Sequence, residues 1–161
     1  MTRSRPLELE FVALDDPGLL AHMAHLATTG AGWINVTPLI ETEHEPPPPG
    51  PFAFLGGSTH QVPTATWKPG RLQSDGTARP TTVGLQHAAG THLAWRLSDL
   101  GLPRPEGWRV TQDHPRRGLV MTVPADADHA ATMDWLLRLA AAVCTVPTTG
   151  TWEASIHAGL P

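Results

Sequence analysis

Leu7, Leu9, Phe11 and Ala13 alternate with Glu8, Glu10 and Val12, a period of two that predicts a strand. Asp16-Pro17 follows. Asp16 suits a helix N-cap, and Pro17 suits the first helical position, where a missing N–H has no partner to lose. Leu19, Met23 and Leu26 then recur at helical spacing, Leu20 and Ala27 widen the stripe, and Gly30 ends it. Gly32-Trp33 opens a second strand through Ile34, Val36 and Ile40. Residues 5–40 therefore read as a β-α-β unit.

Residues 41–80 break the pattern. Glu41, Glu43 and Glu45 precede Pro46-Pro47-Pro48-Pro49-Gly50-Pro51, a run that favours an extended polyproline path with few donors for a sheet. Phe52, Phe54 and Leu55 are expected to anchor it by packing. Gly56-Gly57, Pro69-Gly70 and Asp75-Gly76 signal turns. The segment reads as a long Pro/Gly-rich loop, either a lid or a connector, with a short strand near Thr64–Trp67.

Regular alternation returns at Thr82–His87, with Val83, Leu85 and His87 on one face. Thr91 is expected to cap a helix over 91–100 carrying Leu93, Leu97 and Leu100, stopped by Gly101 and Pro103. Trp108–His114 reads as a strand, Pro115-Arg116-Arg117-Gly118 as a turn and Leu119–Val123 as the returning strand. A helix over 128–144 carries Met133, Leu136, Leu137, Ala140 and Cys144, and Gly150–His157 is the last strand. The order β-α-β-β-α-β over about 81–157 predicts an α+β, ferredoxin-like module. Its strands are expected in the order last, first, third, second. The N-terminal β-α-β is expected to extend the edge of one larger, mainly antiparallel sheet with helices packed on it. The Gly-Trp openings at Gly32-Trp33 and Gly107-Trp108 hint at a repeated unit, with both indoles plugging the ends of the core.

Length and composition narrow the function. A chain of 161 residues predicts a single domain, 1–161, built from sub-units 5–40, 41–80 and 81–161. No apolar run reaches transmembrane length and no secretory signal opens the sequence, so no membrane partner is expected. One cysteine excludes an intrachain disulfide and fits a cytoplasmic protein. A net charge of −4 argues against nucleic acid. Residues 1–60 hold seven acids against two arginines, residues 61–161 eight acids against nine bases. Ten arginines against one lysine, with the Ala, Gly and Pro load, fits a GC-rich bacterial genome.

Topology gathers the candidate chemistry at one sheet edge. In a split β-α-β arrangement the strands ending at His87 and His114 are parallel and finish together. Parity puts both imidazoles on the helix-covered face and Asp113 on the other, unless a bulge intervenes. The helix start adds Thr91 and His92, the turn adds Arg116 and Arg117, and the second helix ends there with Cys144, read as an inert core thiol. A helix N-terminus with two arginines and imidazoles forms an expected anion site. His87, His92 and His114 supply the ligand count of a catalytic zinc, but no metal-binding motif supports them, and no cofactor is expected. His22 and His25 read as a solvated helix face. Trp67 reads as an indole that packs down the loop.

Two functions follow. The first is a cytoplasmic binding or accessory protein engaging a small anionic ligand or a protein partner through this His/Arg edge. The second is a His-dependent hydrolase or transferase acting on a phosphorylated or carboxylated small molecule, with or without a metal's assistance. In it one of His87 and His114 serves as general base and the other as acid or electrostatic partner, and Thr91, His92, Arg116 and Arg117 hold the anion.

Overall fold

A computed structural model describes residues 5–45, 62–90 and 92–159. The proline run Pro46–Pro49, the expected anchors Phe52, Phe54 and Leu55, and the expected cap Thr91 lie outside them. Along the chain the elements are β1 (Leu7–Phe11), α1 (Pro17–Thr29), β2 (Trp33–Ile40), a 3-10 turn (Thr42–His44), β3 (Thr64–Lys68), β4 (Arg71–Leu72), β5 (Ala78–Arg79), β6 (Thr81–Gln86), α2 (Leu93–Arg96), β7 (Arg109–His114), β8 (Gly118–Val123), α3 (His129–Val143) and β9 (Thr148–His157).

Local punctuation sets the helices. Asp16 accepts the Leu19 N–H at 3.0 Å, Pro17 fills the first position, and Gly30 closes α1 in the left-handed region at φ 63°. Asp128 caps α3 in the same way, accepting the Ala131 N–H at 2.8 Å. The helix expected over 91–100 is regular only from Leu93 to Arg96. The chain then closes in turns, with Gly101 bonded back to Ser98 and Leu102 to Leu97.

Seven strands form one sheet in the order β1-β9-β2-β3-β6-β8-β7, and every neighbouring pair is antiparallel. β4 and β5 form a separate two-stranded arm. The protein is thus α+β, and the N-terminal strands join the one large sheet. The adjacency of β6, β8 and β7 is as expected. The contiguous ferredoxin-like order is not observed, because β9 does not lie beside β6. β3 pairs with that edge of β6 instead, and the short separation between the two strands lowers the loop-closure cost of the pairing. β9 enters the slot between the parallel strands β1 and β2, where Ser155 donates to the Glu8 carboxylate at 2.7 Å.

The core fills one face. Ile34, Val36, Ala65, Trp67, Val83, Leu85, Leu119, Met121, Ala154 and Ile156 point from the sheet toward the helices, and all are buried. α3 packs across β2, β3 and β6 and against α1, and α2 packs on β7. Trp67 meets His129 edge-on, with centroids 5.4 Å apart, inside this layer. Trp108 is buried against Trp135, whereas Trp33 faces outward and stacks on His157 at 4.5 Å. The two Gly-Trp openings therefore hold their indoles in different settings, and Trp33 does not plug the core. Among the described residues, no helix is long and apolar enough to cross a membrane.

Candidate functional site

β6 and β7 are both antiparallel to β8, so they run parallel and end at a common edge, as expected for His87 and His114. The two imidazoles nevertheless leave that edge on opposite faces. A bulge between Val110 and Gln112 shifts the β7 register, so that Asp113 pairs with Leu119 and His114 with Gly118. Directly paired residues share a face. Leu119 is a core residue, hence Asp113 points inward and His114 outward, the reverse of the simple parity.

His87 lies inside, 2% exposed, and its Nδ1 accepts the Ala89 N–H at 3.1 Å. His114 is half-buried, and its Nδ1 accepts the Arg116 and Arg117 N–H groups at 3.1 and 3.3 Å, holding the turn. The start of α2 is already occupied by an anion from the chain itself. Asp113 accepts the Leu93 N–H at 3.2 Å and the Ala94 N–H at 2.9 Å. The expected anion site at this helix start is thus filled by a carboxylate. His92 is exposed, left-handed at φ 60°, and stacked on the solvent-facing Trp95 with centroids 4.9 Å apart. Arg116 is exposed on the turn. His87, His92 and His114 do not converge as metal ligands. Among the described residues, the three-ligand group is Glu41, Glu43 and His44, all exposed. Cys144 caps α3 half-buried, its Sγ 3.4 Å from the Val146 carbonyl.

One expected residue does reach a cavity. Arg117 lines a trough of about 340 Å³ on the sheet face that, among the described residues, carries no helix. Its floor is the row Asn35, Thr66, Gly84 and Val120, which are paired across β2, β3, β6 and β8. Gly84 leaves the trough open at its centre. Thr66 donates to Asn35 Oδ1 at 2.8 Å, which fixes that amide. Lys68 lies toward one end, opposite Thr82, and Arg117 toward the other, next to the β8 start. Four residue steps along β3 set the length at about 13 Å. The lining includes no carboxylate. Sequence reasoning missed Lys68. Its signal was the alternation itself: Thr64, Thr66 and Lys68 fall on one parity and Ala65 and Trp67 on the other.

The acids of this face lie elsewhere. Glu8, Glu10 and Glu153 cluster on β1 and β9, with Glu10 directly opposite Glu153. The helix-free face is therefore acidic at its β1 side and carries cations at Lys68 on β3 and at Arg117 in the turn before β8. Comparison with family models, with curated proteins and with solved structures finds no match to this chain.

Proposed function

We propose that the protein is a cytoplasmic binding or accessory protein that takes a small, elongated anionic molecule in the trough on its helix-free sheet face. One observation carries the reading: Lys68 and Arg117 stand at the two ends of a trough whose lining holds hydroxyls and amides but no carboxylate. Among the described residues neither cation has an ion-pair partner, so an incoming anion displaces water rather than a protein carboxylate. The catalytic alternative has less support. His87 and His114 face opposite sides of the sheet, and neither lines the trough.

Titration of the purified protein with citrate and with pyrophosphate, followed by backbone amide shifts, tests the reading. Saturable shifts at Thr66, Gly84 and Val120 are expected, with affinity at least tenfold lower in Lys68→Ala and in Arg117→Ala. Shifts that are absent, or that survive both substitutions, overturn it. A Gly84→Val variant, which fills the trough, is expected to abolish binding without unfolding. The nearest atom to a Cβ at Gly84 lies at 3.7 Å, an ordinary contact.

A further inference from the structure

A second cavity lies where β3 and β9 end and β2 begins, across the sheet from the edge of His87 and His114. It is a cleft of about 800 Å³ between the C-terminal end of α1, the β4–β5 arm and the segment after β9. That volume falls within the range of sites that enclose small molecules.

The elements around the cleft meet at backbones with no space for side chains. A Cβ at Gly32 would overlap the His157 carbonyl oxygen. One at Gly159 would stand 2.7 Å from the Ala31 Cβ, and one at Gly30 would stand 2.8 Å from the Arg71 Cβ. The arm, the helix cap and the segment after β9 are thus fitted together before any ligand arrives, which lowers the ordering cost of binding. Leu72 offers apolar surface. Leu26 is buried, and Leu72 is 76% exposed on the arm with no apolar cover of its own.

The polar side of the cleft is cationic. Arg71 lines it and is paired directly across the arm with Arg79. Like charges facing each other on one side of a hairpin repel. Neither arginine has a carboxylate partner among the described residues. The other polar lining groups, His25, Thr29, Gln73 and Ser74, carry no negative charge. A structural reading of Arg71, as a cation facing the last carbonyls of α1, predicts hydrogen bonds to them, and its guanidinium makes none to a described residue.

We propose that this cleft binds an amphiphilic carboxylate, its charged end at Arg71 and its apolar body along Leu72. The carboxylate gives Arg71 the bidentate partner it lacks and offsets the positive charge of Arg79 across the arm. The apolar body covers Leu72. The site is separate from the trough and does not depend on it.

Octanoate is a suitable probe, with acetate and octanol as controls lacking the tail or the charge. Titrated into the full chain, octanoate is expected to shift the amides of Thr29, Ala31, Gly32 and Gly159 saturably. Acetate and octanol are each expected to bind at least tenfold more weakly. Arg71→Ala is expected to weaken octanoate at least tenfold, Arg71→Lys less, and Leu72→Asp to abolish binding. Arg117→Ala, at the trough, is expected to leave octanoate binding unchanged, so failure of either site is read separately. Equal binding of octanol and octanoate overturns the proposal, as does full affinity in Arg71→Ala, or the absence of shifts at these four amides.

Discussion

Asp113 Oδ2 accepts the backbone N–H of Ala94 at 2.9 Å, while its other oxygen takes the N–H of Leu93. A strand residue thereby caps a helix nineteen positions earlier in the chain and ties α2 to β7. His92, the residue preceding α2, makes no side-chain capping bond, so Asp113 does that work from a distance. Asp113→Ala leaves two half-buried donors without their acceptor and is expected to cost about 1–2 kcal/mol, the usual range for a lost N-cap. Asp113→Asn keeps one carbonyl oxygen and is expected to lose roughly half as much. Urea denaturation of both variants checks the ordering. Equal losses would show that charge, rather than two-point acceptance, makes the tie.

Gly118 opens β8 at φ 81°, and a Cβ there would overlap the carbonyl oxygen of Leu85 on β6. Gly76 has a similar φ of 82°, but a Cβ there would meet nothing within 4 Å. The pair separates backbone strain from collision. Gly76→Ala is expected to cost about 1 kcal/mol, the penalty for a left-handed non-glycine residue. Gly118→Ala adds a clash against a paired strand and is expected to cost about 3 kcal/mol or more. Thermal unfolding of the two variants side by side measures the difference.

These two cases mark how far the sequence could be read. α1 was legible at both ends because Asp16, Pro17 and Gly30 act locally, within one turn of the helix they bound. The strand faces were legible wherever alternation was unbroken, as in Ala65 and Trp67 or Val83 and Leu85. The bulge in β7 was not, since an extra residue in a strand leaves no mark on its composition. It alone exchanged the faces of Asp113 and His114, and with them the expected site. The position of β9 was hidden for another reason. Trp152, Ala154 and Ile156 would bury equally well beside β6 or between β1 and β2. β3 fills the remaining edge of β6, which leaves β9 the slot between β1 and β2. The face of Trp33 is legible in its parity, which is opposite to Ile34 and Val36 and puts it on the outer face.

Asp75 turns the tip of the β4–β5 arm. It accepts the Thr77 hydroxyl at 2.6 Å and the Thr77 N–H at 2.9 Å. These two bonds, the hydroxyl first, hold its carboxyl below the ordinary value of 3.8. The folded pKa is depressed, so the contribution to the arm is present above 3.8 and is lost as pH falls through the lower folded value. Thr77→Val removes the larger cause and keeps the amide. The Asp75 carboxyl is expected to titrate at higher pH in that variant, nearer the ordinary value, as followed by its side-chain carbon shift. An unchanged midpoint would mean that the backbone amide alone sets it.

His92 is the one non-glycine residue with positive φ among the described residues, at 60°. Its ring stacks on Trp95, which is 81% exposed, and that contact shields little apolar surface from water. The backbone conformation costs about 1 kcal/mol for a side chain with a Cβ, and the exposed stack returns a comparable amount at most. His92→Gly is therefore expected to leave stability unchanged or raise it by up to about 1 kcal/mol. His92→Val, branched at the Cβ, is expected to lower it by more than that because branching makes the left-handed region still less accessible. Trp95→Ala serves as the control and is expected to change stability by less than about 0.5 kcal/mol, as for a surface substitution. Chemical denaturation of the three variants decides between strain and stacking. If His92→Gly loses as much as His92→Val, the ring contact with Trp95 outweighs the backbone.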